Sequence, residues 1–478
     1  MGAISKTFTR NLVLLIGINL LIKPFYLLFI EARVQERIGA EEYGIYFALL
    51  NLSFILNIVP DLGITNWNNR RIAQQGTIVQ EEVKKIIRLR LVLGIIYLLI
   101  CLLAASSLGY NEHQRYLLCI LAFNQVLSTG ILFLRSYLNG MHLFNKDRFV
   151  SVVDRLLLIV LLGSALSYLP DHQPFPADYL VYAQTVAYGL TLLLAAIFVW
   201  PLGKQDQMKE SLQEKSILVS SLPFAALILI SMMSNRIDGI LLERISGSYE
   251  AGIYALAFRL SDMLTMISYL FAVLLLPIFS RMLANHEKTD ELFGTAFRLL
   301  LCGCTLVTIL CTLQAEWILQ LIYKGDIHTA ASILPWTMAA ASFFSLQYAT
   351  GTLLTAAGKL RQLITVAIAA LLCNSAINGW LIPSHAALGA SIAAFCTQAL
   401  VFIIQIFLTH KGFGVWKASL FWQSIGFMLI AWSMAILINT FEIEQITKII
   451  LLSISVGSSA VLFKMIPIRN LGHRFHIP

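Results

Sequence analysis

The segment Leu91–Leu108 reads LVLGIIYLLICLLAASSL and contains no charged residue. A helix needs about 20 predominantly apolar residues to cross the hydrocarbon core of a bilayer, and this run is long enough. Comparable runs recur along the whole chain, and the charged residues are concentrated in the short connections between them. Backbone groups in lipid must form hydrogen bonds within the protein. The sequence therefore predicts an all-α polytopic membrane protein with about 14 transmembrane helices.

The ends of the apolar runs predict the bounds of these helices. The predicted spans are Asn11–Ile30, Tyr43–Asp61, Leu91–Leu108, Arg115–Gly140, Val152–Tyr168, Tyr179–Val199, Ile217–Leu242, Ala251–Phe279, Thr295–Tyr323, Ala330–Ala357, Leu363–Ile382, Ala387–Leu408, Leu420–Ile438 and Ile446–Met465. The longest connection is Asn69–Arg90, in which the spacing of Val83, Ile86 and Ile87 predicts a short helix on the cytoplasmic surface.

The predicted organisation has two lobes of six helices and an appended pair. Helices 1–6 form an N-terminal lobe over residues 1–200, and a cytoplasmic linker covers 201–215. Helices 7–12 form a C-terminal lobe over 216–409, and helices 13 and 14 with a cytoplasmic tail occupy 410–478. Transporters are often built from such repeated halves.

Composition and charge agree with a membrane protein. The chain is 58% hydrophobic and 13% charged, about half the charged fraction of a soluble domain. The net charge of +8 is attributed to cytoplasmic Lys and Arg rather than to nucleic-acid binding, because one set of connections carries about four times the bases of the other. This asymmetry predicts that both termini are cytoplasmic. The seven cysteines lie in apolar runs and do not predict disulfides or a metal site.

A short sequence recurs at two equivalent places. Arg37–Tyr46 reads RIGAEEYGIY after the first helix, and Arg244–Tyr254 reads RISGSYEAGIY after the seventh. Each copy precedes an even-numbered helix, and the second contains one inserted residue. The repeat indicates two related six-helix halves.

A few charges lie within the predicted spans, where they must face protein or water. The basic ones that lie well inside a span, away from its ends, are Lys23, Arg135, Arg236 and Arg259. The acidic ones are Asp61, near a helix end, Asp238 and Asp262. One interpretation is a structural network, in which Arg259 pairs with Asp262 one turn away or with Asp238 across the hairpin. Lys23 and Arg135 have no acidic partner nearby in sequence, which favours contact with an anion.

Two prolines are candidate hinges. Pro24 follows Lys23 inside helix 1, and Pro223 lies inside helix 7. Proline removes a backbone donor and kinks a helix, so each is interpreted either as an accommodated kink or as a hinge. If an ion drives movement, the three aspartates are its candidate carriers, and the ion is a proton or sodium.

No catalytic constellation is found in the sequence. It contains no Gly-rich phosphate loop ending in Lys-Ser/Thr, no metal motif and no nucleophile elbow. We therefore expect no enzymatic activity, no catalytic residues, no metal and no cofactor.

Several stretches resemble one transporter family. They are IGAEEYGIY at 38–46, PDLGI at 60–64, RSYLNG at 135–140, DGILL at 238–242, AGIYALA at 251–257 and AGK at 357–359, with Asn374, Asn378, Pro383 and Gly389. In this order and spacing they resemble bacterial O-antigen and capsular-polysaccharide flippases of the multidrug/oligosaccharidyl-lipid/polysaccharide exporter superfamily. The resemblance covers most of the chain through helix 12.

The resemblance implies a fold and a substrate. The fold is two six-helix lobes in a V around a cationic central cavity. The substrate is an undecaprenyl-pyrophosphate-linked oligosaccharide, moved from the cytoplasmic to the periplasmic leaflet of the bacterial inner membrane. Lys23, Arg135, Arg236 and Arg259 are then expected to be the cavity cations. Membrane lipids and polysaccharide polymerase machinery are the expected partners of a monomeric protein.

Three alternatives stay open at this point. The first is a flippase of the peptidoglycan lipid precursor, and the second is a drug or cation antiporter of the same superfamily. The third is an enzyme such as a lipid-linked sugar polymerase or ligase.

Overall fold

The structure is a computed structural model. It describes residues 17, 19, 21–65, 68, 72, 80–141, 143–168, 175–202, 214–323 and 327–465. The described residues form helices joined by short turns and connections, and 11 of these helices are long and apolar enough to span a membrane. This confirms the predicted all-α polytopic fold. The chain divides into two compact units, Met1–Gly252 and Ile253–Pro478, called here unit 1 and unit 2.

Unit 1 begins with a π-helical segment at Tyr26–Glu31. Its α-helices are α1 (Ala32–Ile38), α2 (Ala40–Leu56), α3 (Gln80–Ser107), α4 (Glu112–Gly140), α5 (Phe144–Tyr168), α6 (Ala177–Val199) and α7 (Glu214–Ser246). The core of unit 1 includes a buried cluster at the start of α3 and the ends of α4 and α6, with Val83, Phe133 and Val199 among its members.

Helix α8 (Ser248–Ala284) begins in unit 1 and continues into unit 2. The other helices of unit 2 are α9 (Asp290–Leu313), α10 (Ala315–Ile322), α11 (His328–Ala356), α12 (Leu360–Phe413), α13 (Ala418–Asn439) and α14 (Gln445–Leu462). Its core is apolar and aromatic. The ring of Phe297 stacks on Phe293 and Phe402 and meets the Trp416 ring edge-on, with centroids 4.8 Å apart.

Helix α12 contains two predicted spans. Its 54 residues are interrupted at Ala386, which has φ +45° and ψ −126°. A Cβ on Gly389 would lie 2.5 Å from the carbonyl oxygen of Leu381. Residues eight apart in one straight helix are about 12 Å apart along the axis, so the chain folds back at Ala386. The two predicted helices, Leu363–Ile382 and Ala387–Leu408, correspond to the two halves.

Two predicted helices differ from the observed ones in kind. The predicted span Thr295–Tyr323 breaks at Gln314, whose φ of −122° and ψ of 31° separate α9 from the short α10. The predicted surface helix around Val83 is instead the first part of α3, which continues without interruption into the membrane span. Burial of Val83 and Ile86 within the unit 1 core explains this continuity.

Both copies of the sequence repeat form the same turn. Gly39, with φ +89°, separates α1 from α2, and Gly247, with φ +95°, separates α7 from α8. Glycine tolerates this positive φ without steric strain. The inserted residue of the second copy is Ser246, the last residue of α7.

The two turns pack reciprocally through glycines, within the residues of unit 1. A Cβ on Gly44 would lie 1.8 Å from the carbonyl oxygen of Ser248, and a Cβ on Gly252 would lie 1.9 Å from that of Ala40. Small residues let helix backbones approach closely. The glycine of each Gly-Ile-Tyr motif therefore contacts the first residue of the helix that carries the other motif. The division of the chain into lobes at 1–200, 201–215, 216–409 and 410–478 stays a prediction.

Candidate functional site

The backbone changes from α to π geometry two residues after Pro24. Residues 21–25 are α-helical, and the π segment Tyr26–Glu31 follows. The N–H of Ala32 donates to the carbonyl of Leu27, which is the i to i−5 spacing of a π turn. Pro24 cannot donate to the preceding turn, so this helix has a weakened hydrogen-bond ladder beside Lys23. Single π turns often occur at functional sites.

Lys23 is half-buried and lies among other charges of unit 1. The groups close enough to interact with its ammonium are Arg155, Asp154 and Arg135. Two of the four cations predicted from sequence, Lys23 and Arg135, therefore share one neighbourhood. We call Lys23, Arg135, Asp147, Asp154 and Arg155 the charge cluster.

Arg155 is held between two tyrosines. Its guanidinium carbon lies 5.2 Å from the ring centre of Tyr26 and 6.0 Å from that of Tyr188. Its Nη1 donates to the Tyr188 hydroxyl at 3.4 Å, and its Nε lies 3.7 Å from a carboxylate oxygen of Asp154. Cation–π contacts of this kind fix the orientation of a guanidinium. The π segment therefore places Tyr26 where it positions a cation of α5.

Arg135 forms a bidentate pair with a buried carboxylate. Its Nε donates to Asp147 Oδ1 at 2.7 Å, and its Nη2 donates to Oδ2 at 3.2 Å. Asp147 is only 1% exposed, whereas the Arg135 side chain is 19% exposed. Arg135 has no acidic partner nearby in sequence, but it has one in the structure, because α5 begins at Phe144 and carries Asp147 to α4.

The charge cluster is rich in cations and has a third acidic neighbour. Its three cations stand against the carboxylates of Asp147 and Asp154, and the buried Glu31 is close enough to interact with Arg155. Lys23 has no carboxylate within ion-pair distance among the residues that the structure describes, since its acidic neighbour Asp154 contacts Arg155 instead. A partly exposed, incompletely neutralised group of this kind attracts anions.

Arg236 and Asp238 lie elsewhere in unit 1, on α7. Arg236 lies over the ring of Phe54 at 5.2 Å, and its Nη1 donates to Asn51 Oδ1 at 3.5 Å. Asp238 is buried and takes part in polar interactions. Next to it, a Cβ on Gly239 would lie 2.4 Å from Asn51 Nδ2, so glycine lets α7 approach α2 closely.

Arg259 and Asp262 are in unit 2, one turn apart on α8. Both side chains are half-buried, and both take part in polar interactions. The predicted pairing of Asp238 with Arg259 stays a prediction. Pro223 lies in α7, and its side chain is outside the described part of the structure.

Asp61 is engaged in an ion pair. It lies in the turn after α2 and accepts hydrogen bonds from Arg90 Nη1 and, at 3.2 Å, from the backbone N–H of Thr65. Arg90 is only 8% exposed and was grouped with the surface connection in the sequence. Its pairing follows from the helical continuity of α3, which the apolar run alone does not reveal.

Unit 2 buries neutral amides instead of charges. Asn374 and Asn378 are fully buried on α12, and Asn378 Nδ2 donates to Asn374 Oδ1 at 2.9 Å. Gln347 donates to the Gln398 side chain, also at 2.9 Å. No group of three histidine, cysteine or acidic residues able to hold a metal is found among the described residues.

Comparison with known proteins identifies a family and a fold. A family model described as "Polysaccharide biosynthesis protein" matches residues 8–283, more than half of the chain. No curated protein matches the chain.

Several solved structures share the fold. The lipid II flippase MurJ in its inward closed conformation aligns with a TM-score of 0.65 at 12% identity, over 95% of this chain and 99% of that one. An inward-facing multidrug resistance MATE family transporter of the MOP superfamily aligns with a TM-score of 0.63 at 14% identity, over 81% and 94%. A MOP superfamily transporter from Pyrococcus furiosus, reported to have a binding pocket of reversed polarity, aligns with a TM-score of 0.57 at 16% identity, over 84% and 94%. At these identities the similarity establishes the fold alone.

Proposed function

Because this chain belongs to the polysaccharide biosynthesis protein family, we propose that it is a flippase for an undecaprenyl-pyrophosphate-linked oligosaccharide. The substrate is an O-antigen or capsule repeat unit, moved from the cytoplasmic to the periplasmic leaflet of the bacterial inner membrane. The movement occurs by alternating access of two lobes around a cationic cavity. The observation that supports the proposal is the charge cluster, in which Lys23 lies beside Arg135 and Arg155 while its acidic neighbour Asp154 contacts Arg155.

The argument is electrostatic. A cation at membrane depth is costly unless it faces protein or water, and a chain retains it there when it meets an anion. Lys23 supplies a point charge, whereas the guanidinium of Arg135 offers planar donors that suit phosphate oxygens. Asp147 holds Arg135 in place. The Arg135 side chain is 19% exposed, so part of its guanidinium stays accessible. A pyrophosphate headgroup matches this set of donors.

The remaining candidate residues have proposed roles within the same cycle. Arg236 and Arg259 are further substrate cations. Asp238 and Asp262 are carriers of the coupling ion, a proton or sodium, and the ion pair of Asp61 with Arg90 holds the end of α2. The π segment after Pro24 is a hinge that moves Lys23, and Pro223 is a second hinge. Membrane lipids and polysaccharide polymerase machinery are the proposed partners.

The test replaces the two clustered cations. We expect Lys23→Ala combined with Arg135→Ala to abolish surface polysaccharide while the protein still accumulates in the membrane. Lys23→Arg, which keeps the charge, should retain most of the activity. Because Arg135→Ala leaves Asp147 unpaired, Lys23→Ala alone is measured in parallel. The matched control is Lys417→Ala, an exposed lysine of unit 2. Normal polysaccharide in the double variant at normal protein level would contradict the assignment.

The fold shared with the lipid II flippase supports the peptidoglycan lipid precursor as a second candidate substrate, since that molecule has the same lipid and pyrophosphate chemistry. Purified protein in vesicles that contain one or the other lipid-linked glycan separates the two candidates. Transfer of the peptidoglycan precursor alone would replace the first proposal. Increased drug sensitivity in a deletion strain with normal polysaccharide would instead indicate an antiporter.

A further inference from the structure

Unit 1 contains a groove that the charge cluster does not explain. It has a volume of about 340 Å³ and is formed by α3, α4 and α6 together with the turn after α2. Fourteen of its 16 lining residues are apolar or glycine, and Arg90 is the only charged one among the described residues. We call it the α3–α4–α6 groove.

The groove runs from one end of the membrane-spanning helices toward their middle. All three helices are candidate membrane spans. Trp200, just past the end of α6, lines one end and is half exposed, whereas Phe123 in the middle of α4 lines the other. Tryptophan is enriched at the membrane interface. The groove therefore extends inward from headgroup level.

Arg90 gives the groove one polar wall. Its guanidinium carbon lies 4.9 Å from the ring centre of Phe133, another lining residue, and its Nη1 is paired with Asp61. Its Nη2 is buried and has no hydrogen-bond acceptor among the described residues. A buried N–H group without an acceptor is unfavourable, so this atom favours a ligand that supplies an oxygen.

Further bases flank the groove on α3. Lys84 and Arg88 are exposed. Arg88 follows Lys84 by four residues and precedes the lining residue Leu91 by three, which places all three along one side of the helix. Lys84 pairs with Glu81, so Arg88 contributes most of the uncompensated charge. Positive groups within reach of the interface attract anionic lipid headgroups.

We propose that the α3–α4–α6 groove binds an anionic phospholipid, with one acyl chain along the apolar walls and the phosphate at Arg90 and Arg88. The volume is about twice that of a cavity of ~150 Å³ that holds benzene, which suits part of a hydrocarbon chain. The same volume is smaller than one turn of a partner helix, whose diameter with side chains is about 10 Å and whose pitch is about 5.4 Å. The proposal does not depend on which substrate the protein transports.

Two substitutions add side-chain volume to the groove and leave Arg90 unchanged. Gly130→Leu adds a side chain whose Cβ would meet the flexible end of Leu192, at 3.1 Å. Leu127→Trp enlarges a half-buried lining residue. Gly189→Leu and Leu193→Trp are the matched controls on α6, since Gly189 has open space around its Cβ position and Leu193 is 62% exposed, and neither lines the groove.

The measurement is native mass spectrometry of the full-length protein in detergent, which reports the fraction of protein that retains a bound lipid. The lipid added is phosphatidylglycerol, diacylglycerol with the same acyl chains, or undecaprenyl phosphate. Wild type and both controls should retain one phosphatidylglycerol. Gly130→Leu and Leu127→Trp should each lower the retained fraction about tenfold, which is about 1.4 kcal/mol. Diacylglycerol should be retained about tenfold less than phosphatidylglycerol by wild type, because it lacks the phosphate.

Three results would overturn the proposal. One is equal retention of phosphatidylglycerol by all five proteins, and another is equal retention of diacylglycerol and phosphatidylglycerol. The third is displacement of phosphatidylglycerol by an equal concentration of undecaprenyl phosphate, which would assign the groove to a prenyl chain. Monodisperse elution and an unchanged helical circular dichroism spectrum establish that each variant is folded, and Leu127→Trp preserves the test if Gly130→Leu does not accumulate.

Discussion

The two units bury different kinds of polar side chain. Among the described residues, the buried charged side chains all belong to unit 1, and they are Glu31, Glu82, Arg90, Asp147, Asp238 and Glu243. The buried polar side chains described in unit 2 are all neutral, mostly Ser and Thr with a few Asn and Gln. Both units contain candidate membrane spans, so the hydrocarbon environment does not explain why only unit 1 buries charges. We attribute the difference to the functions of the two units.

Burying a charge is tolerated only when the charge is paired, and breaking such a pair costs more than breaking a neutral hydrogen bond. Unit 1 accepts this cost where Arg135 meets Asp147 and where Arg90 meets Asp61. Unit 2 instead satisfies its interior with pairs such as Thr350 and Gln405. The comparison therefore predicts that replacing a buried polar side chain lowers the free energy of unfolding most in unit 1.

The largest effect is expected from Asp147→Leu in unit 1. The substitution leaves Arg135 without its bidentate acceptor, and the free energy of unfolding should fall by about 3 kcal/mol. Replacing both partners, with Arg135→Leu added, should restore most of the loss because no uncompensated charge remains. Denaturation by sodium dodecyl sulfate in mixed micelles measures both. If the double variant were less stable than Asp147→Leu alone, the cost would not come from an unpaired buried charge, and the proposed difference between the units would be wrong.

A smaller effect is expected from Gln405→Leu in unit 2. Gln405 accepts a hydrogen bond of 2.6 Å from the hydroxyl of Thr350, which is fully buried. Losing a neutral acceptor should lower the free energy of unfolding by about 1 kcal/mol. Gln445→Leu, at an exposed position of α14, is the control. A loss as large as that of Asp147→Leu would show that the units differ in composition but not in energetics.

The smallest effect is expected from Lys417→Ala. Lys417 pairs with Asp290 in unit 2, but its side chain is 64% exposed. Exposed ion pairs contribute little because water and salt screen them, so we expect no measurable change in the same denaturation assay. A clear destabilisation would sharpen the comparison by showing that unit 2 also depends on charge, at its surface.

The fold was largely predictable because apolar runs and helix length follow from the bilayer. The runs located most of the membrane helices, but they could not show the turn at Ala386 or the break at Gln314, which depend on tertiary packing. The similarity of Arg37–Tyr46 to Arg244–Tyr254 identified two equivalent turns. It did not show that Gly44 and Gly252 pack in contact with the opposite copy.

The candidate site was predictable only in part. Lys23 stood out because it interrupts an apolar run. Arg155 was not singled out because it lies near the start of its apolar run, although the structure places it between Tyr26 and Tyr188. Asp147 was missed because α5 begins at Phe144, eight residues before the predicted start at Val152. Polar helix ends carry no periodic apolar signal, so their partners become visible only in three dimensions.

The reciprocal glycine contact has a consequence for biogenesis. Gly44 meets Ser248, and Gly252 meets Ala40, so each contact joins residues roughly 200 positions apart in the chain. Contacts of such long range form late, after local hairpins. During translation, α2 is therefore made before the beginning of α8, and Gly44 lacks its contact with Ser248 until that segment has been synthesised.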